Sequence, residues 1–258
     1  RSERMANTKM NKKYVLFDWD NTVRKGYTLY SWVDYLCSCH TIDSCIQLDL
    51  NTMRKEYDSH LITHDEYAQK ACQLYSSNLK GIPCSKIDSL INNYIILDEH
   101  YIYNDIKKLF HFLNKNGFDI IIISGAPTII IEKYKEKYNF KEIYAFKEKT
   151  LHDYFTGEVE YNYGFGKEKI VSELIRKYNS RPYMAFGDSK SDLPLLKYAY
   201  HSFYLGSEPV NKRYKTVTPD NIFYSVKRIF AMNTILNRTY SHRFHNSSHN
   251  SAKLKDIT

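Results

Sequence analysis

Two aspartates with one residue between them follow a short apolar segment near the start of the chain. The segment Tyr14-Val15-Leu16-Phe17 is apolar throughout, which is typical of a strand buried on both faces of a parallel sheet. Asp18 and Asp20 come directly after it. Ligands of open α/β sheets bind beyond the carboxyl ends of the strands, so both carboxylates are expected at a ligand site. Two acids this close repel each other, and Mg²⁺, which prefers oxygen ligands and substrate phosphates, would stabilise the pair.

An acidic turn without function is the alternative, and partners further along the chain decide between the two. A run of isoleucines at 120–123 ends in Ser124-Gly125, and Pro127 is placed to open a helix over Thr128–Tyr138. A hydroxyl and backbone N–H groups at such a strand-to-helix turn can bind an anion. An ordinary turn would have the same sequence, so this signal is weak when taken alone.

Lys167 begins another predicted helix, after Gly164-Phe165-Gly166. The helix dipole favours anions at that end, so a lysine there suggests a function such as binding a phosphate, although a solvated surface lysine is the alternative. We prefer Lys167 over Lys169. A further apolar strand, Tyr183–Phe186, ends at Asp188, and Asp192 follows four residues later, where it can cap backbone donors or brace a metal-bound water.

The elements that must position these groups alternate between strands and helices. Apolar residues recur at helical spacing from about residue 24 to 97 without a convincing strand, which predicts a helical insertion after the first strand. A helix is expected over Tyr101–Asn116, and a β-hairpin that turns at Thr156-Gly157. A last short strand at His201–Leu205 and a helix from Pro219 to about Met232 complete the pattern.

Taken together, the motifs resemble the haloacid dehalogenase-like superfamily, and specifically its branch of phosphatases similar to phosphoserine phosphatase. The resemblance rests on DxDxT at Asp18–Thr22, Ser124-Gly125, Lys167 and GDxxxD at Gly187–Asp192. It covers about residues 13–23 and 100–206. It implies an α/β fold, a three-layer doubly wound (Rossmann-like) parallel sheet with an inserted helical cap. The expected domains are a core at 13–23 and 98–233, a cap at 24–97 and a disordered tail at 234–258.

The resemblance also implies a role for each motif residue. Asp18 would be the nucleophile that forms an aspartyl-phosphate, and Asp20 would protonate the leaving oxygen and then activate water. Mg²⁺ would be held by Asp18, the backbone carbonyl of Asp20, and Asp188. The phosphoryl oxygens would be bound by Ser124, the Gly125 amide and Lys167, and Asp192 would be a support.

The implied activity is Mg²⁺-dependent hydrolysis of a small-molecule phosphomonoester. Asp20 favours a phosphatase over a dehalogenase, because dehalogenases of this superfamily lack the second aspartate. Phosphoserine phosphatases carry an acidic residue shortly after the first motif, whereas this chain has Arg24-Lys25-Gly26-Tyr27, so phosphoserine is a doubtful substrate. Phosphoryl transfer to another acceptor, as in a phosphotransferase or phosphomutase, is an alternative.

Composition limits the remaining function classes. The chain has 258 residues and a formal charge of +8, which suits an anionic substrate or a nucleic acid, so a basic nucleic-acid-binding protein is a second alternative. It explains the acidic motifs poorly. All five cysteines lie between Cys37 and Cys84, which favours reduced thiols. No signal-peptide or membrane-spanning pattern is evident, and a cytoplasmic protein is expected, with its oligomeric state open.

The predicted cap is rich in aromatic residues. These could stack on a base or a sugar or surround a quaternary ammonium, but at helical spacing they more often form core. The residues concerned are Tyr27, Tyr30, Trp32, Tyr35, Tyr57, Tyr67 and Tyr75.

Overall fold

The structure is a computed structural model that describes residues 13–207 and 213–232. Its strands are β1 (Tyr14–Phe17), β2 (Asp119–Pro127), β3 (Phe140–Leu151), β4 (Tyr154–Asn162), β5 (Met184–Gly187), β6 (His201–Tyr204) and β7 (Lys215–Thr216). Its helices are α1 (Thr28–Ser38), α2 (Cys45–Asp58), α3 (His64–Asn78), α4 (Cys84–Asp98), α5 (Asn104–Lys115), α6 (Thr128–Ile131), α7 (Lys135–Tyr138), α8 (Lys167–Tyr178), α9 (Leu193–Tyr198) and α10 (222–232). The tail predicted at 234–258 lies outside the described residues.

Within these residues, seven strands form one sheet in the order β4-β3-β2-β1-β5-β6-β7. All neighbouring strands are parallel except β3 and β4. The first strand therefore lies in the middle, between β2 and β5, as its uninterrupted apolar sequence predicts. Because β1, β2 and β5 are parallel, their carboxyl ends lie at one edge of the sheet, and the change of chain direction on either side of β1 opens a crevice there.

Both faces of the sheet are buried. Val15 and Phe17 pack in one hydrophobic cluster, and Tyr14 and Leu16 pack in another on the opposite side. Alternate residues of β2 and β5 divide between the two clusters in the same way, because successive side chains of a strand point to opposite faces. Helices cover both faces, and the predicted three-layer α/β class with a Rossmann-like parallel sheet is confirmed.

The residues between β1 and α5 form four helices, α1 to α4, in the place where the sequence predicts a helical insertion. Buried side chains of this insertion, such as Trp32 and Tyr75, belong to the same cluster as Val15 and Phe17 of the central strand. The insertion thus packs on one face of the sheet. The division of the chain into a cap (24–97) and a core (13–23 and 98–233) stays a proposal.

Two local predictions were wrong. The hairpin turns at His152-Asp153, both with positive φ, and not at Thr156-Gly157. Gly157 lies within β4 at φ +87°, where a Cβ would be 3.0 Å from Lys80 Cβ. The longer hairpin reaches the insertion, since the Phe155 N–H donates to the Ile82 carbonyl (3.1 Å).

The second wrong prediction is a single helix over Thr128–Tyr138. A 3₁₀ turn at Glu132–Tyr134 interrupts it between α6 and α7. The interruption coincides with Tyr134, which is fully buried and donates a hydrogen bond to Asp98. Within the described ranges, no helix is long and apolar enough to cross a lipid bilayer.

Candidate active site

The turn after β1 directs two carboxylates to the same side. The Asp18 N–H continues the sheet by donating to the Phe186 carbonyl (3.0 Å), and the N–H groups of Val23 and Arg24 both donate to the Trp19 carbonyl (2.8 and 3.0 Å). Trp19 is fully buried in the core. The Trp19 side chain thus packs in the core, whereas Asp18 and Asp20, on either side of it in the sequence, both line the cleft at the carboxyl edge of the sheet.

Lys167 is the cation of the site. Its Nζ lies 2.7 Å from Asp18 Oδ1 and 2.7 Å from Asp192 Oδ1, and only 4% of the side chain is exposed. Burial by itself lowers the pKa of a lysine, but here the two carboxylates outweigh it and the pKa of Lys167 is raised. The ammonium therefore stays charged at neutral pH. Lys169, in contrast, is exposed.

Three carboxylates converge beside this lysine. Oxygens of Asp18, Asp188 and Asp192 lie within 4.8 Å of one another. Burial, together with repulsion among the carboxylates, raises the pKa of Asp18 to about 7 and that of Asp188 to about 8. The raised pKa values of Asp18 and Asp188 mean that Lys167 alone does not neutralise the repulsion at this site, so a further cation would be bound favourably.

The donors at this group fit a hard divalent cation. Asp192 is already engaged, because its Oδ2 accepts hydrogen bonds from the N–H groups of Asp188 (3.1 Å) and Ser189 (3.0 Å), while its Oδ1 faces Lys167. Asp188 has a weaker partner, the Thr22 hydroxyl, at 3.3 Å. Asp18 and Asp188 are thus the carboxylates best placed to bind a metal, and an all-oxygen set of this kind suits Mg²⁺.

Asp192 also explains the glycine of its motif. A Cβ on Gly187 would lie 2.4 Å from the Asp192 Cβ, so the GDxxxD pattern needs glycine for Asp192 to reach back over the strand end. Asp192 is fully buried and lies behind the cleft. The role of Asp192 as a support stays a prediction.

Asp20 differs from the other aspartates in its partners. Its Oδ1 accepts hydrogen bonds from the Thr28 N–H (2.9 Å) and from the Thr28 hydroxyl. Burial raises the pKa of Asp20 to about 6, and the bonds from Thr28 limit the shift. Its carboxylate lies outside the group of three, and the predicted use of its backbone carbonyl as a metal ligand stays a prediction. Sequence reasoning missed Thr28, whose only signal was its position at the start of a helix.

Ser124 and Gly125 line the same cleft as Lys167 and belong to the carboxyl-terminal part of β2. Ser124 is 2% exposed, and its Oγ accepts a hydrogen bond from the Ala126 N–H (3.2 Å). Gly125 is exposed and is approached so closely by Gly164 that a Cβ on Gly164 would lie 2.7 Å from the Gly125 Cα. The Asn162 side chain fixes this approach by accepting from the Gly164 N–H (2.8 Å). From the sequence, Gly164 was interpreted only as part of the start of a helix.

The cleft has a volume of about 180 Å³ and brings together all the predicted site residues except the buried Asp192. The buried side chains of Asp18, Ser124 and Lys167 form its inner end, and Asp20, Gly125 and Asp188 line the cleft beside them. Its outer wall comes from the helical insertion. The arrangement places a buried carboxylate, a fixed ammonium and a second acid around one small space, which is suited to polar chemistry on an anion.

Comparison with known proteins agrees with this arrangement. The family described as haloacid dehalogenase-like hydrolase matches residues 15–197. A phosphoserine phosphatase of Methanocaldococcus jannaschii is 23% identical over 207 residues, which are 78% of this chain and 89% of the relative.

Solved structures show the same fold. A phosphoserine phosphatase solved as a phospho-aspartyl intermediate analogue matches with a TM-score of 0.59 and 19% identity, over 81% of this chain and 93% of that one. A protein of unknown function from Bordetella pertussis Tohama I matches with a TM-score of 0.68 and 13% identity, over 81% and 99%.

The chain belongs to the haloacid dehalogenase-like hydrolase family. The resemblance inferred from the motifs, including the branch similar to phosphoserine phosphatase, is confirmed, and so is the prediction of an enzyme.

Proposed function

We propose that the protein is a Mg²⁺-dependent phosphatase that hydrolyses a small-molecule phosphomonoester through an aspartyl-phosphate on Asp18. The observation that carries the proposal is the contact of 2.7 Å between Lys167 and Asp18 in a cleft that Ser124 and Gly125 also line. A phosphoryl group bound in this cleft would contact both the nucleophile Asp18 and the hydrogen-bond donors Lys167, Ser124 and Gly125. The phosphoserine phosphatases among its relatives support this function.

In the first step, an Asp18 carboxylate oxygen attacks phosphorus and the bond from phosphorus to the leaving oxygen breaks. Asp20 gives its proton to that oxygen. Its pKa of about 6 lets the protonated form contribute near neutral pH. In the second step, Asp20, now ionised, takes a proton from water, the water oxygen attacks phosphorus, and the Asp18 carboxylate is released with inorganic phosphate.

The oxygens of the transferring group carry negative charge that the site must bind. The Lys167 ammonium, the Ser124 hydroxyl and the Gly125 N–H would do this. Lys167 is held by Asp18 and Asp192 before any substrate arrives, so little reorganisation is needed when the phosphate binds.

Asp18 and Asp188 would hold the Mg²⁺ ion, with the Asp20 carbonyl as a further ligand. When bound, the ion would supply positive charge to the phosphoryl oxygens and lower the repulsion between the carboxylates. Two residues would keep Asp188 in place. The Thr22 hydroxyl donates a hydrogen bond to its carboxylate, and the Asp192 carboxylate accepts hydrogen bonds from the N–H groups of Asp188 and Ser189.

We propose further that phosphoserine is not the substrate. The stretch that follows the first motif, Arg24-Lys25-Gly26-Tyr27, contains no acid, and Arg24 itself is buried and paired with Asp98 (2.7 Å). Of the described residues that line the cleft, only Asp18, Asp20 and Asp188 are acidic. All three belong to the proposed chemistry, which leaves none to bind a substrate amine. A cytoplasmic location stays a prediction.

The test is phosphate release with and without Mg²⁺ from sugar phosphates, nucleotides, phosphoamino acids and phosphocholine, for the wild type and Asp18→Asn. We expect release that needs the metal and is abolished by the substitution. Acid quenching during turnover should trap phosphate on the wild-type chain and not on the variant. Release that survives Asp18→Asn would overturn the mechanism. Phosphate that moves to an added alcohol, without release to water, would favour the phosphotransferase alternative.

A further inference from the structure

The outer part of the cleft contains four tyrosines from the insertion: Tyr27, Tyr30, Tyr57 and Tyr67, here called the tyrosine cluster. Tyr57 and Tyr67 stack with ring centroids 5.2 Å apart, and the hydroxyls of Tyr30 and Tyr67 are hydrogen-bonded to each other. The cluster is thus ordered by its own contacts. Other aromatic residues of the insertion are core, since Trp32 and Tyr75 are fully buried and bonded to each other (2.8 Å).

Arg54 lies within this cluster. Its guanidinium is 5.1 Å from the ring centre of Tyr27, 5.6 Å from that of Tyr57 and 6.0 Å from that of Tyr67. On its other side, Nε is bonded to both carboxylate oxygens of Asp58 (3.0 and 3.1 Å). A cationic group of the protein therefore already lies close to these rings, and it would repel a substrate cation placed beside them.

The charges around the cluster select against a cationic leaving group. Arg54 and His64 line this end of the cleft, whereas the three acidic lining residues all lie at the phosphate end. Asp58, the partner of Arg54, is half exposed and does not line the cleft. A quaternary ammonium would meet a guanidinium among the tyrosines, and a primary ammonium would find no free carboxylate.

Tyr27 connects the cluster to the chemistry. It directly precedes Thr28, which holds the acid Asp20. Asp20 and Tyr27 line the same cleft, and the Tyr27 ring is 44% exposed, so it is available to the group that is released when Asp20 protonates its oxygen. The whole cleft, including the space for the phosphoryl group, has a volume of about 180 Å³, so the leaving group must be small.

We propose that the substrate is a phosphomonoester whose leaving group carries a planar ring and no ammonium, and that this ring stacks in the tyrosine cluster beside Tyr27. This inference rests on the proposed phosphatase function. It deepens that function by naming the class of alcohol that is released.

The experiment compares benzyl phosphate with cyclohexylmethyl phosphate, two esters of similar size and similar leaving-group basicity that differ in the planarity of the ring. We expect kcat/KM to favour the benzyl ester by about 3- to 10-fold, the range that an aromatic stacking contact provides. Phosphoserine and phosphocholine should be poorer than both. In Tyr27→Leu, the ratio of kcat/KM for the benzyl ester to kcat/KM for the cyclohexylmethyl ester should approach 1. A general loss of activity in that variant would lower both values and leave their ratio unchanged.

Tyr224→Leu is the matched control, because Tyr224 is 66% exposed and lies outside the cleft. The ratio of kcat/KM for the two ring esters should be the same in Tyr224→Leu as in the wild type. Hydrolysis of both ring esters without a preference, or a preference for phosphoserine or phosphocholine, would overturn the inference and leave the phosphatase function intact. Failure to hydrolyse any phosphomonoester in the presence of Mg²⁺ would overturn both.

Discussion

Asp20 and Thr28 illustrate how one residue of the insertion tunes a residue of the central strand. Thr28 begins α1, and its N–H and hydroxyl both donate to Asp20 Oδ1. These bonds favour the ionised carboxylate, whereas burial favours the protonated form. The strength of the general acid is therefore set by the packing of a helix start against the strand end.

Removal of the Thr28 hydroxyl should raise the pKa of Asp20. Asp20 must be protonated to act in the first step, so the high-pH limb of kcat/KM should move to higher pH in Thr28→Val. A hydrogen bond to a charged group contributes roughly 1.5–3 kcal/mol, and a pH profile should resolve a change of that kind. Thr28→Ser keeps the hydroxyl and should keep the wild-type limb. An unchanged limb in Thr28→Val would show that Asp20 is not the acid.

Glu148 on β3 is a buried carboxyl outside the cleft. Among the described residues, neither of its oxygens has a hydrogen bond of ordinary geometry, and burial raises its pKa to about 7, although the nearby Tyr75 hydroxyl opposes the shift. The folded state thus holds a proton that the unfolded chain, with its ordinary pKa of 4.5, gives up. Stability must fall as pH rises between these values and stay low above them.

Glu148→Gln should remove this dependence. For an isolated group the effect is on the order of 3 kcal/mol, so the variant should gain stability relative to the wild type at pH 8 and gain little at pH 5. Urea unfolding at both pH values measures the difference. Glu158→Gln, an exposed position on the neighbouring strand β4, is the control. Equal gains at the two pH values would mean that Glu148 titrates normally in the folded protein.

At the scale of elements, a buried ion pair joins the two ends of the insertion. Arg24 leaves the first motif and Asp98 ends α4, and both are fully buried. The Arg24 Nε lies 2.7 Å from Asp98 Oδ1, and the hydroxyls of Tyr94 and Tyr134 donate to the same carboxylate (2.9 and 2.8 Å). This network fixes the chain where it enters and leaves the sheet.

We expect Arg24→Met or Asp98→Leu to lower the free energy of unfolding by roughly 3–5 kcal/mol, because each leaves one buried charge without its partner. The double variant should lose much less than the sum, since no charge is left buried. Chemical denaturation of the four proteins gives the coupling energy. Arg54→Met with Asp58→Leu, an ion pair that is partly exposed, should be close to additive. Additivity at Arg24 and Asp98 would contradict the proposed role of the pair.

The elements also show which parts of the fold the sequence predicts. Uninterrupted apolar segments identified the central strands because burial on both faces requires them, and the strand ends then located Asp18, Ser124 and Asp188. The hairpin was misplaced because a glycine suggested the turn, whereas Gly157 serves a close approach to Lys80. Which tyrosines face the cleft depends on contacts between α1, α2 and α3, and helical spacing within one helix does not specify these.

At the scale of the whole molecule, the carboxylates of Asp18 and Asp188 lower stability as long as no cation is bound beside them. The pKa values of Asp18 and Asp188 are raised to about 7 and 8, so near neutral pH the folded chain binds protons that the unfolded chain releases. By linkage, this lowers the stability of the metal-free protein. A ligand that binds only the folded state adds about 2.7 kcal/mol at a concentration of 100 times its Kd.

Mg²⁺ should therefore raise the Tm of the wild type by several degrees, given roughly 2–4 °C per kcal/mol for a chain of this size. Asp188→Asn should have two effects. Without metal, its Tm should be higher than that of the wild type because repulsion between the carboxylates is relieved. With Mg²⁺, most of the increase in Tm should be lost because a metal ligand is missing. Asp153→Asn, at the exposed hairpin turn, should behave like the wild type. An Asp188→Asn variant that keeps the full rise would place the cation elsewhere. Loss of Tm without metal would mean that Asp188 stabilises the folded protein through the Thr22 hydroxyl more than it destabilises it by repulsion.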